Sequence, residues 1–210
     1  MKLLKDKIAI IGLGYVGLPL AVGFSKKYQV YGYDINNKRI KELTNGKDVT
    51  REITSRKELL SKNLYFTNKE EELKKANIFI ITVPTPITKQ NKPDLSKIKK
   101  AAEVVGSIIN KGAIVVLEST VYPGVTENYL VPLLVKNSNL EYKKDFFVGY
   151  SPERINPGES KYKLTNIKKV VGADSPTTLK KLLKIYKSII KAGVHKVSTI
   201  KVAEASKVIE

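Results

Sequence analysis

Three glycines and one aspartate set the first chemical expectation. Gly12, Gly14 and Gly17 fall within Gly12-Leu13-Gly14-Tyr15-Val16-Gly17, and Asp34 follows 20 residues after Gly14. Glycines at this spacing suit a pyrophosphate. Gly12 permits a tight turn, Gly14 lets an anion approach the backbone because it has no Cβ, and Gly17 lets a helix pack closely on a sheet. The N–H groups near Tyr15 and Val16, at the start of such a helix, would face the anion. A carboxylate at Asp34 can accept bonds from adenosine ribose hydroxyls and would repel a 2′-phosphate, which favours NAD over NADP. Arg39 keeps NADP open, because a nearby guanidinium can meet that phosphate.

A glycine motif alone is weak evidence, and its context carries the weight. An apolar strand, Ile8–Gly12, runs into the motif, a helical stretch follows to about Tyr28, and a second strand, Gln29–Tyr33, ends at Asp34. That is the order of a dinucleotide-binding βαβ unit. Further apolar strands are expected at Leu64–Phe66, Ile78–Val83, Ala113–Leu117, Phe146–Tyr150, Lys169–Gly172 and Val194–Val197. Helical patterning fills most gaps, at Glu70–Lys75, Leu95–Ile109, Thr126–Leu134 and Ser175–Ile190. Strand alternating with helix predicts an α/β chain with a Rossmann-like, doubly wound, mostly parallel sheet. Residues 1–197 form that domain in this reading. Ser198 is the expected N-cap of an amphipathic helix over Thr199–Glu210, which stops without a terminator. The expectation is a chain cut inside a longer central helix.

Composition excludes more than it identifies. The 210 residues hold no cysteine, so these residues supply no disulfide, thiolate metal site or cysteine nucleophile. No apolar run reaches the roughly 20 residues of a membrane span. The opening MKLLKDKIAIIG reads as a charged lead into the first strand rather than a signal peptide, so a cytoplasmic protein is expected. The net charge of +18 raises nucleic-acid binding, but only Arg39, Arg51, Arg56 and Arg154 of the 38 basic residues are arginine. Base readout favours arginine, and the lysines are scattered in pairs. No nucleic-acid or membrane partner is expected, although the charge helps draw in anionic ligands. His195, the sole histidine, lies in a short lysine-flanked strand and is expected to be structural or exposed. Tyr122 and Tyr150 are expected to pack rather than donate protons.

Several strands end in polar signatures, where an open parallel sheet binds its ligands. These are Val83-Pro84-Thr85-Pro86-Ile87, Glu118-Ser119-Thr120-Val121-Tyr122-Pro123-Gly124 and Ser151-Pro152-Glu153-Arg154-Ile155-Asn156-Pro157-Gly158, and the last helix carries Ala203-Glu204-Ala205-Ser206-Lys207. With GLGYVGLPLA, these segments give the chain a resemblance to the UDP-glucose/GDP-mannose dehydrogenases over essentially its whole length. SPER and VPTPI tilt the likeness toward the UDP-N-acetylhexosamine (GlcNAc, GalNAc or ManNAc) 6-dehydrogenases.

The resemblance implies oxidation of a sugar C6 alcohol to a carboxylate, with reduction of two NAD and passage through a cysteine thioester, in polysaccharide biosynthesis. It implies that Tyr15, Val16, Asp34 and Arg39 hold the adenosine and pyrophosphate. Thr85 and Thr120 line the path toward the nicotinamide. Glu153 serves acid/base chemistry or orients its water, Arg154 and Ile155 touch substrate, and Lys207 stabilises oxyanion charge at C6. No metal is implied. Pro157 stands where some relatives carry a second glutamate. The cysteine-bearing nucleotide-sugar domain is absent here. The chain is therefore expected to bind NAD without completing the oxidation, and the full-length protein to dimerise through its central helix. UDP-glucose or GDP-mannose oxidation is the neighbouring alternative. A non-catalytic NAD-binding regulatory module is the alternative of another class.

Overall fold

The computed structural model describes residues 3–154 and 166–209. Among these, eight strands form one sheet: β1 (Lys7–Ile11), β2 (Gln29–Tyr33), β3 (Leu64–Thr67), β4 (Ile78–Ile81), β5 (Ala113–Leu117), β6 (Phe146–Tyr150), β7 (Lys169–Ala173) and β8 (Val194–Lys196). Their spatial order is β3-β2-β1-β4-β5-β6-β7-β8. Neighbours run parallel except β6 and β7, which are antiparallel. The helices are α1 (Gly17–Ser25), α2 (Asn37–Thr44), α3 (Arg56–Leu59), α4 (Ser96–Ile108), α5 (Val131–Ser138), α6 (Pro176–Lys187) and α7 (Ile200–Ile209).

The apolar runs explain the layering. Strand side chains alternate between faces, so a run apolar at every position must be covered on both sides. Ile8 and Ile10 of β1 join Ile78 and Ile80 of β4 in one core with Leu18, Ala21 and Phe24 of α1 and Leu182, Ile185 and Tyr186 of α6. Ala9 and Ile11 join Phe79 and Ile81 in the opposite core, with Ile98, Ala102 and Val105 of α4, Leu134 of α5 and Ile200 and Ala203 of α7. The expected doubly wound sheet is present.

Element ends differ from expectation for local reasons. α1 stops at Ser25, whose hydroxyl donates to Val22 O, so the chain turns before Tyr28. β4 ends at Ile81, ahead of Pro84, which lacks an N–H for the ladder. Glu70–Lys75 winds as a tight 3-10 helix. Thr126–Leu134 divides into a wide π turn at Thr126–Leu130 and the start of α5. Thr199, not Ser198, caps α7: its hydroxyl accepts from Val202 N and its carbonyl from Ala203 N. α2 and α3 were not evident from periodicity.

One buried carboxylate ties α7 to the turn after β5. Glu204 is fully buried and accepts from Gly124 N at 2.5 Å, Thr126 N at 2.8 Å and the Thr126 hydroxyl at 2.7 Å. Gly172 of β7 leaves room for the same helix, since a Cβ there would lie 2.6 Å from Thr199 O.

Candidate active site

The sheet order reverses between β1 and β4, and a crevice opens at their carboxyl ends, as the topology of such sheets requires. The cleft has a volume of about 760 Å³ and is lined by the glycine turn, Asp34, Thr85, Thr120 and Glu153. Lys97 and Lys100 of α4 also line it and add positive charge for an anionic ligand.

Each motif glycine has a separate geometric reason. Gly12 has φ +98°, a conformation that side chains disfavour. A Cβ on Gly14 would meet nothing within 4 Å, so the backbone lies open to the cleft. A Cβ on Gly17 would lie 1.9 Å from Gly12 O and 2.5 Å from the Thr82 hydroxyl, so only glycine permits this closeness. Thr82 completes the turn from β4, with its hydroxyl 2.8 Å from Gly12 O and 3.1 Å from Ile11 O. The open backbone at Gly14, the exposed Tyr15 ahead of α1 and the Asp34 carboxylate fit a dinucleotide.

Asp34 is held by two backbone N–H groups. One carboxylate oxygen accepts from Leu13 N at 2.9 Å and the other from Asn36 N at 2.9 Å. A carboxylate offers about four acceptor positions, so these bonds leave capacity for ribose hydroxyls.

Arg39 is held by protein groups. It is buried, and its Nε donates to Leu13 O at 3.0 Å, Nη1 to Asp48 at 2.7 Å and Nη2 to the Thr50 hydroxyl at 3.3 Å. It braces the glycine turn, a task the sequence did not disclose. Asp48 in turn accepts from Thr50 N and Ile53 N, each at 3.0 Å. Burial opposes ionisation of Asp48, but hydrogen bonds from Ile53, Thr50 and Arg39 outweigh it and hold the carboxyl below its ordinary value. Asp48→Asn should cost about 2 kcal/mol at pH 7 in urea unfolding, because it weakens hydrogen bonds to a charged pair. A lowered folded value means this stabilisation is complete above the unfolded value and disappears as pH falls through the folded one. The gap between parent and variant should therefore narrow below about pH 4.

Of the catalytic candidates, Glu153 lines the cleft, together with Thr85 and Thr120. Thr85 donates to Thr120 O at 2.6 Å, tying the β4 and β5 exits together. Thr120 itself is exposed. Glu153 is buried at the end of β6, where one of its oxygens accepts from Arg154 N at 2.7 Å. Lys207 is half-buried on α7, one turn beyond the anchored Glu204. Arg154 and Lys207 are not among the residues lining the cleft. Ile155 lies outside the described residues.

Sequence reading missed the floor beneath Glu153. Lys169 opens β7 and is buried, with its ammonium 2.5 Å from Glu118, 3.0 Å from Pro152 O and 3.4 Å from Glu153. The Tyr186 hydroxyl donates to the other Glu118 oxygen. Burial pushes Glu118 up, with Lys169 pulling against it. Burial opposes the Lys169 charge, yet the two carboxylates outweigh it and hold the ammonium above the ordinary lysine value. The available signal was a charged residue at either end of an apolar strand: Glu118 after β5 and Lys169 before Val170.

The other expectations divide. His195 is exposed on β8, and Tyr150 is fully buried with its hydroxyl donating to Ser119 O. Tyr122, expected to pack, is 50% exposed, because β5 has already ended and the chain turns toward Gly124. Among the described residues no group of three or more His, Cys, Asp or Glu could hold a metal. No helix among them is long and apolar enough to cross a membrane.

Comparison with known proteins identifies the family. The model of the UDP-glucose/GDP-mannose dehydrogenase family, NAD binding domain, matches residues 6–190. UDP-N-acetyl-D-glucosamine 6-dehydrogenase of Salmonella typhi is 54% identical over 97% of this chain and 48% of that protein. Protein CapL of Staphylococcus aureus is 56% identical over 97% of the chain and 48% of its own length. The structure of a UDP-D-ManNAc dehydrogenase from Pyrococcus horikoshii superposes with a TM-score of 0.89 at 36% identity, covering 97% of this chain and 49% of that one. The chain thus spans about half the length of the relatives it matches. The glycine turn and the crevice at the sheet's reversal accord with that NAD binding domain, and the chain belongs to the UDP-glucose/GDP-mannose dehydrogenase family.

Proposed function

We propose that the chain is the NAD-binding half of a dehydrogenase that oxidises the C6 hydroxyl of a UDP-N-acetylhexosamine to a carboxylate for polysaccharide biosynthesis. The observation that carries this reading is the single cleft joining the glycine turn and Asp34 to Thr85, Thr120 and Glu153. The similarity to UDP-N-acetyl-D-glucosamine 6-dehydrogenase supports the N-acetylated substrate.

When bound, NAD supplies the hydride acceptor. Tyr15 and Val16 face its pyrophosphate, Asp34 holds the ribose, and Arg39 steadies the adenosine end through the glycine turn. Thr85 and Thr120 flank the path to the nicotinamide. Glu153 takes the C6 hydroxyl proton or passes it to water. Lys207 stabilises the negative oxygen, while Arg154 and Ile155 contact the sugar nucleotide. Residues 1–197 form the dinucleotide domain, and 198–210 begin the helix leading to the rest of the protein. No cysteine lies in this chain, so it binds NAD but does not complete the four-electron reaction alone. The full-length protein is a cytoplasmic homodimer paired through that helix.

The test compares UDP-N-acetylated hexosamines with UDP-glucose and GDP-mannose on the full-length protein. An N-acetylated sugar should be favoured in kcat/KM by about 100-fold or more, since a site built to bond the acetamide loses those bonds with glucose. Equal use of UDP-glucose would contradict the substrate assignment. No turnover of any sugar nucleotide would contradict the enzyme.

A further inference from the structure

Lys169 is buried and every donor on its ammonium is committed. It reaches Glu118 at 2.5 Å, the Pro152 carbonyl at 3.0 Å and Glu153 at 3.4 Å. The Pro152 and Glu153 contacts grip the backbone and the side chain of the same turn. The Glu118 contact, with Tyr186 donating from α6, fixes the ammonium itself. Three elements of the sheet layer thereby converge under one carboxylate: the ends of β5 and β6 and the start of β7.

We propose that Lys169, held by Glu118 and Tyr186, is the positioning residue that aims the Glu153 carboxylate into the cleft. The inference rests on the acid/base role proposed for Glu153. A carboxylate reached from a loop needs such support, because small displacements of a proton-transfer group cost rate steeply. A buried pair of this kind is weak evidence of added stability, since desolvation offsets much of the attraction, but it does specify a geometry.

A double-mutant cycle in the full-length enzyme distinguishes positioning from bulk stability. Lys169→Met should lower kcat by about 100-fold, with KM for NAD changed less than about twofold. Added to Glu153→Gln, it should lower kcat by less than about fivefold more, because the group it positions is already gone. If Lys169→Met alone fails to fold, with Glu118 left buried and unpaired, Glu118→Gln/Lys169→Met removes both charges and replaces it in the cycle. Multiplying effects in a folded, active background would overturn this inference alone. A wild-type enzyme that oxidises no sugar nucleotide would overturn the functional reading and this inference with it.

Discussion

Gly17→Ala is expected to lower stability by about 3 kcal/mol or more and to abolish measurable NAD binding, because a core clash of this kind must displace backbone. The added methyl would lie 1.9 Å from Gly12 O and 2.5 Å from the Thr82 hydroxyl. Neither neighbour yields easily. Gly12 is held in its turn at φ +98°, with its N–H donating to Tyr33 O at 2.8 Å. Thr82 sits at the end of β4, with its N–H on Ile11 O at 2.9 Å. α1 would have to move away from the sheet and carry its N-terminal N–H groups out of line with the cleft. Gly14→Ala is the control, since its Cβ would meet nothing within 4 Å. It should leave urea unfolding unchanged while weakening NAD by about tenfold or more, as the methyl occupies the pyrophosphate's approach. Equal loss of stability in both variants would mean that the two glycines do not divide these roles.

The second large effect belongs to Glu153. Glu153→Gln in the full-length protein should reduce kcat by about 100- to 10,000-fold, the range expected for loss of a positioned proton acceptor. NAD affinity should change little, because Glu153 lies beyond β6 while the residues proposed for the adenosine and pyrophosphate gather at β1 and β2. Steady-state kinetics paired with calorimetry separates the two effects. A variant that retains wild-type kcat would remove Glu153 from the chemistry.

What could be read from the sequence was local. The run from Ile8 to Asp34 encodes strand, turn, helix, strand and acid within one short stretch, and the structure builds each in place. β2, β5 and β6 match their expected bounds because continuous apolar runs bounded by polar residues have few other uses. α2 was missed because NKRIKELT holds only two apolar residues, Ile40 and Leu43, too few to stand out in a polar stretch despite the Asn36 cap. The floor of the site was missed for a different reason. Glu118 and Lys169 are separated by 51 positions and Tyr186 by 68 from Glu118, and no spacing rule joins them. Arg39 shows the same limit. Its place after Asp34 suggested a phosphate ligand, whereas its partners Leu13, Asp48 and Thr50 were visible only once the chain had folded.

Cofactor choice is the property on which the NAD-binding assignment turns. Calorimetric titration of this chain with NAD, with NADP and with NAD against Asp34→Ala tests it. The expected result is saturable NAD binding, NADP weaker by at least about tenfold, or about 1.4 kcal/mol, and loss of NAD binding in the variant. The Asp34 carboxylate would oppose a 2′-phosphate, and three of the five N–H donors of Arg39 are taken by Leu13, Asp48 and Thr50. A folded chain that binds NADP as tightly as NAD, or that binds NAD undiminished without the Asp34 carboxylate, would contradict it.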